Sequence, residues 1–82
     1  MINKAVFIKW HDAQSVDDWT CPTEVVPKLA EVHTLGLILS EDDKMLTLAL
    51  NRDMTNDNYS CFIHVPKSCI FFRKNVPLKY FK

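Results

Sequence analysis

The segment spanning residues 59–72 constrains the fold more than any other, because a proline interrupts a run of strand-forming residues. Residues 59–65 are rich in aromatic and β-branched side chains, which are typical of strands. Pro66 has no amide hydrogen and a fixed φ, so a hydrogen-bonded ladder cannot continue through it. Lys67 and Ser68 allow one tight turn before apolar residues resume at 69–73. The segment therefore predicts a strand, a turn and a second short strand.

Three further strands are predicted from alternating apolar residues at 3–10, 30–40 and 45–50. The polar residues 41–44 separate the last two of these, which indicates a hairpin. Gly36 is the only glycine, and its place inside a strand predicts a bend or a close backbone approach. Residues 51–58 are polar apart from Met54 and are expected to form a long loop.

One short helical turn is expected after the first strand. Ser15 and Asp18 have the spacing of a helix N-cap, and Cys21-Pro22 would end any helix that begins there. Residues 23–28 are expected to form an irregular connection.

Together these elements predict an all-β fold, a small five-stranded SH3-like or Sm-like barrel. A five-stranded OB-type barrel is the alternative, but it usually has a helix between its third and fourth strands, and residues 51–58 are too polar to pack one. Residues 1–74 are assigned to a single barrel domain and residues 75–82 to a C-terminal tail.

Composition and charge limit the kinds of molecule that the protein is expected to bind. The 10 basic and 10 acidic residues cancel, which argues against a long nucleic acid as the partner. No secretory signal or membrane-spanning stretch is expected, so the protein is predicted to be cytoplasmic with its three cysteines reduced. An 82-residue domain buries a small core, and we expect self-association into a homo-oligomer.

Two tryptophans and two polar residues form the densest cluster of side chains suited to binding. Trp10 and Trp19 could stack on a planar ligand while His11 and Asp12 hydrogen-bond to its edge. The alternative is that both tryptophans fill the core, because a small domain needs large aromatic residues for core volume.

Metal binding and catalysis are not predicted. Cys61, His64 and Cys69 have a spacing that resembles part of a zinc site, but Cys61 and His64 would point to opposite faces of a strand. No catalytic motif is present, and no cofactor is expected.

The basic C-terminal segment is a second candidate surface. Arg73 and Lys74 begin a stretch without acidic residues that continues to Tyr80 and Phe81. The two aromatic residues, together with Phe71, are candidates for an interface with another subunit. The alternative is an ordinary solvated tail.

Several short motifs together resemble a group of small phage-encoded proteins, most of them uncharacterised. The motifs are Trp10-His-Asp-Ala13, a following Trp19, a strand at 32–39 with Gly36, and the segment Phe-Ile-His-Val-Pro-Lys-Ser-Cys-Ile at 62–70. The resemblance extends over about residues 5–74.

This resemblance implies a non-enzymatic binding protein. Some compact phage β-proteins counter host defence by sequestering a nucleotide signal in the host cytoplasm. By that analogy, Trp10 or Trp19 would stack on the nucleotide, and its phosphates would contact cations at Arg52, Lys67, Arg73 and Lys74. The alternative function is a protein–protein interaction module that inhibits or adapts a host defence protein.

Overall fold

The computed structural model describes residues 4–13, 19–25 and 27–77. These residues form five antiparallel strands in a single sheet and two short 3-10 turns, Pro22–Glu24 and Lys67–Cys69. The prediction of an all-β chain with five strands is confirmed. The strands are β1 (Ala5–Asp12), β2 (Ala30–Glu41), β3 (Met45–Asp53), β4 (Asn58–Pro66) and β5 (Ile70–Val76), in the spatial order β4-β3-β2-β1-β5.

Several strands are longer than their apolar patterns predicted. β1 includes His11 and Asp12, and β5 continues to Val76. The predicted long loop at 51–58 is wrong, because β3 and β4 pair up to Asp53 and Asn58 and leave only 54–57 as a turn. Polar side chains do not prevent backbone pairing at the end of a hairpin, so hydrophobic alternation underestimates strand length there. The predicted helical turn at Ser15 to Asp18 lies outside the described residues.

Both turns that follow an apolar strand form where they were predicted. In the β2–β3 hairpin, Oδ1 of Asp42 accepts hydrogen bonds from the amides of Lys44 and Met45 at 2.8 and 2.7 Å. After Pro66, the 3-10 turn Lys67–Cys69 leads directly into β5. The amide of Lys67 donates to the carbonyl of Lys44 at 2.8 Å, so the two turns contact each other.

The short connection between β4 and β5 forces the sheet to curve. These strands are the two edges of the sheet, and a flat sheet of five strands would place its edges about 19 Å apart. Four residue steps, from Pro66 to Ile70, can extend over only about 14 Å. The sheet must therefore curl toward closure. No β4–β5 ladder joins the edges within the described residues, so the closed barrel stays a prediction.

The core fills the concave face of this sheet. Its central side chains come from β1, β3 and β4, and they are Val6, Ile8, Trp10, Leu46, Leu48 and Val65. Half-buried residues at the end of the second 3-10 turn and the start of β5, Cys69 and Ile70, pack against them together with Val32, Ile38 and Ile63. Of the three cysteines only Cys69 packs in this way, whereas Cys21 and Cys61 are exposed.

Gly36 of β2 lies close to the backbone of β3. A Cβ atom at this position would lie 3.1 Å from the carbonyl oxygen of Ala49 and 3.1 Å from Cβ of Leu48. The predicted close backbone approach is therefore confirmed. Neither neighbour is the flexible end of a side chain, so β3 would have to move to accommodate a methyl group.

We expect Gly36→Ala to lower the free energy of unfolding by about 1 kcal/mol. The steric cost of overpacking is about 1 to 3 kcal/mol, and the reduced entropy of the unfolded chain offsets part of it. Urea denaturation followed by circular dichroism measures the difference. Ser40→Ala, at an exposed position of the same strand, is the control and should change stability by less than about 0.5 kcal/mol. A variant at Gly36 as stable as the control would contradict the close approach.

Candidate functional site

The face of the sheet opposite the core carries an aromatic and basic patch on strands β5, β1 and β2. Val6, Ile8 and Trp10 of β1 point into the core, so the alternate residues of that strand point outward. Their register partners on β2 and β5 complete the surface. We call it the outer patch, and it consists of Phe7, Lys9, His11, Glu31, His33, Leu35, Phe71, Phe72 and Lys74.

A β-bulge in β5 places two consecutive phenylalanines on this patch. Lys9 pairs with Phe72, but Trp10 pairs with Ile70, so Phe71 is an additional residue between two ladder positions. The ring of Phe71 stacks on His11, with centroids 4.5 Å apart and planes at 25°. The ring of Phe72 meets Phe7 edge to face at 6.2 Å. Bulges redirect side chains in this way, and an unbroken strand would have sent one of the two rings to the opposite face.

The two phenylalanines of the bulge remain accessible to solvent. Phe71 is 49% exposed and Phe72 is 42% exposed, and Leu35 nearby is 51% exposed. Exposed aromatic rings next to each other are uncommon on the surface of a protein unless they bind something.

The outer patch also carries positive charge. Nζ of Lys9 lies 5.1 Å from the centroid of the Phe72 ring, a cation–π distance. Lys74 is the register partner of Phe7 on β5 and is exposed. The only acidic member of the patch is Glu31, and its Oε2 atom lies 2.7 Å from Nε2 of His33. This hydrogen bond from His33 lowers the pKa of Glu31.

The structure separates the four members of the cluster predicted around the two tryptophans. Trp10 is 5% exposed, and its Nε1–H group donates to Oγ1 of Thr34 at 3.0 Å, so it is a core residue. Trp19 has a fully exposed side chain between β1 and the first 3-10 turn. Oδ1 of Asp12 accepts a hydrogen bond from the amide of Ala13 at 2.8 Å, at the end of β1. Of this cluster only His11 contributes to the outer patch.

Two of the predicted phosphate-binding cations form a structural ion pair network. Arg73 places Nη1 and Nη2 at 2.6 and 3.0 Å from the two carboxylate oxygens of Glu41, and Nζ of Lys67 lies 2.6 Å from Oε2. These hydrogen bonds, first from Arg73 and then from Lys67, lower the pKa of Glu41 from 4.5 to about 2. The network links the end of β2 to the 3-10 turn and to β5.

Arg52 is also paired with a carboxylate, in the hairpin of β3 and β4. Its Nη2 and Nε atoms lie 2.9 and 3.1 Å from Oδ1 of Asp57, and its guanidinium carbon lies 5.6 Å from the centroid of the Tyr59 ring. β2 separates this hairpin from β1 in the sheet. Among the four predicted cations, only Lys74 therefore belongs to the outer patch.

Six members of the patch were not among the predicted site residues, namely Phe7, Lys9, Glu31, His33, Leu35 and Phe72. The alternation of β1 already indicated that Phe7 and Lys9 share a face opposite Val6 and Ile8. Their proximity to Phe72 and His33 depends on strand order and register, which alternation does not determine. Phe71 was predicted as an interface residue, while Tyr80 and Phe81 lie outside the described residues.

Within residues 4–13, 19–25 and 27–77, no three histidine, cysteine, aspartate or glutamate side chains are grouped closely enough to hold a metal ion. The same residues contain no helix with the length and hydrophobicity needed to cross a membrane. No family model, no curated protein and no solved structure matches this chain.

Proposed function

We propose that this protein is a non-enzymatic binding protein that holds a nucleotide on its outer patch. The observation that carries the proposal is the pair of exposed rings, Phe71 and Phe72, beside the lysines Lys9 and Lys74. Exposed aromatic rings stack on bases, and nearby ammonium groups attract phosphates. This combination is the usual composition of a surface that binds single nucleotides or short strands.

The distribution of charge supports the same ligand class. Lys67, Arg73 and Arg52 are held by carboxylates, so binding a phosphate there would require breaking an ion pair. Lys9 and Lys74 have no carboxylate within ion-pair distance among the described residues. Two available lysines suit a small anionic ligand better than a long nucleic acid, which usually contacts many cations.

The biological role that we propose follows the resemblance to small phage proteins. A protein that binds a nucleotide without transforming it lowers the free concentration of that nucleotide. In a host cytoplasm this would counter a defence system that signals through nucleotides. The sheet order and the 3-10 turn between β4 and β5 support the SH3-like or Sm-like barrel as the scaffold.

Isothermal titration calorimetry with a panel of linear and cyclic nucleotides tests this function. We expect saturable binding that weakens as salt is added, and no change in the nucleotide after prolonged incubation. Lys74→Gln should weaken binding about fivefold, because one phosphate contact is lost. Lys44→Gln, at an exposed position in the β2–β3 turn, is the matched control and should bind like the parent protein. No heat from any nucleotide would refute the proposal.

A protein–protein interaction module is the second candidate function. β4 forms an open edge of the sheet, and its Phe62 is 56% exposed, while Leu50 and Met54 in the same hairpin are 55% and 71% exposed. An open edge and exposed apolar side chains suit pairing with a host protein or with another copy in a homo-oligomer. This function predicts no nucleotide affinity and loss of the complex in a Phe62→Ala variant.

A further inference from the structure

The bulge in β5 creates two separate stacking positions rather than one. Phe71 lies parallel to His11, whereas Phe72 meets Phe7 at 67°, so each phenyl ring is supported by a different residue of β1. The two phenylalanines are consecutive, and consecutive Cα atoms are about 3.8 Å apart. Because the bulge places both residues on the same face, the two rings lie next to each other there and are within reach of two neighbouring bases of one strand.

The two lysines of the patch are positioned to contact one phosphate that links two bases. Lys9 reaches over Phe72 from β1, and its long flexible side chain lets the ammonium group exchange the ring for an anion. Lys74 follows Phe72 by two residues on the same strand and therefore lies on the same face. The carboxylate of Glu31 is already paired with His33. The positive charge thus lies beside the phenylalanine pair, where a phosphodiester between two stacked bases would lie.

We infer that the outer patch recognises two adjacent bases joined by a phosphodiester, with one base on Phe71, the next on Phe72, and the phosphate between Lys9 and Lys74. This inference rests on the proposed nucleotide-binding function and specifies its ligand as a dinucleotide unit. Such a unit occurs both in a dinucleotide signal, linear or cyclic, and in a longer single strand. In both sources the protein would contact the same groups, namely two bases and the phosphodiester between them.

Calorimetry with thymidine monophosphate, the thymidine dinucleotide, the thymidine tetranucleotide and cyclic di-AMP tests the inference. We expect the dinucleotide to bind at least about tenfold more tightly than the mononucleotide, because a second base stacks. The tetranucleotide should bind no more than about threefold more tightly than the dinucleotide, since two positions are already filled. Tighter binding of cyclic di-AMP than of the linear dinucleotide would identify a signal molecule as the source, and the reverse order a single strand.

Substitutions in the bulge provide the second arm of the test. Phe71→Ala and Phe72→Ala should each weaken dinucleotide binding about tenfold. Each should change mononucleotide affinity no more than about twofold, because one ring remains for the single base. Phe62→Ala removes an equally exposed phenylalanine on β4, outside the patch, and should leave both affinities unchanged. Circular dichroism verifies that every variant is folded.

The possible failures are distinguishable. Equal affinity for the mononucleotide and the dinucleotide would overturn the inference and leave the proposed function standing. No affinity for any nucleotide would overturn both. If nucleotides do not bind and Phe71→Ala lowers the mass measured by light scattering, the patch is instead a contact between copies of this chain. Equal loss of dinucleotide affinity in Phe62→Ala would also overturn the inference, because the effect would not be specific to the patch.

Discussion

Replacing Trp10 by alanine is expected to lower the free energy of unfolding by about 3 to 5 kcal/mol. Trp10 is 5% exposed and is the largest side chain of the core cluster. Its removal leaves a cavity bordered by residues of three strands, and the hydroxyl of Thr34 loses the indole donor. The free energy of unfolding of a domain of this size is small, so the alanine variant is expected to be largely unfolded near physiological temperature.

Trp19→Ala is the matched control, because it removes the same side chain from a fully exposed position. Its stability should differ from that of the parent by less than about 0.5 kcal/mol. Urea denaturation followed by circular dichroism is the measurement, and it does not depend on tryptophan fluorescence. Trp10→Phe keeps much of the ring and loses the N–H donor, so a cost of about 1 to 2 kcal/mol is expected in a variant that still folds. Equal effects at the two tryptophans would contradict the assignment of Trp10 to the core.

Glu41→Gln is expected to destabilise the protein by about 1 to 2 kcal/mol at pH 7. The carboxylate accepts hydrogen bonds from Arg73 and Lys67, and its pKa in the folded protein is about 2 instead of 4.5. The side chains in the network are 29 to 34% exposed, so solvent screens part of the interaction. Losing the carboxylate also weakens the only ion pairs that connect the end of β2 with β5 among the described residues.

The effect of Glu41→Gln should depend on pH in a defined direction. Because the pKa is lower in the folded state, the unfolded state binds the proton first, and the stabilisation is complete only above about pH 4.5. It should decline as the pH falls from there and be lost as the pH falls through about 2. Urea denaturation of the parent and the variant across this range measures the difference. Asp43→Asn, a neighbouring exposed carboxylate, is the control, and a Glu41 effect independent of pH would contradict the network.

The strands and turns of this fold could be predicted because they depend on local sequence. Proline chemistry located the turn after Pro66, and a polar run located the β2–β3 hairpin. The alternation of apolar residues in β1 also indicates which of its side chains face the core. The bulge at Phe71 could not be predicted, because Ile70, Phe71 and Phe72 are apolar in succession and do not identify which residue is unpaired.

The roles of the cations were the least predictable part of the site. Lys67, Arg73 and Lys74 are equivalent in a linear sequence, and each could contact a phosphate. The partner of Lys67 and Arg73 is Glu41, which is 32 residues away from Arg73 and is brought close only by the curvature of the sheet. Long-range pairing of this kind can be seen only in the tertiary structure. The prediction from sequence therefore counted Lys67 and Arg73 as available to a phosphate, although both are paired with a carboxylate.

The position of β1 in the sheet has a consequence for how the chain folds. β1 contributes Val6, Ile8 and Trp10 to the core, and it pairs with β2 on one side and with β5, the last strand, on the other. The β2–β3 and β3–β4 hairpins can form from sequence neighbours, whereas the β1–β5 ladder closes a loop of about sixty residues. Closing so long a loop costs chain entropy before any contact compensates for it. The slow step of folding is therefore expected to be the meeting of the first and last strands, after residue 76 has been synthesised.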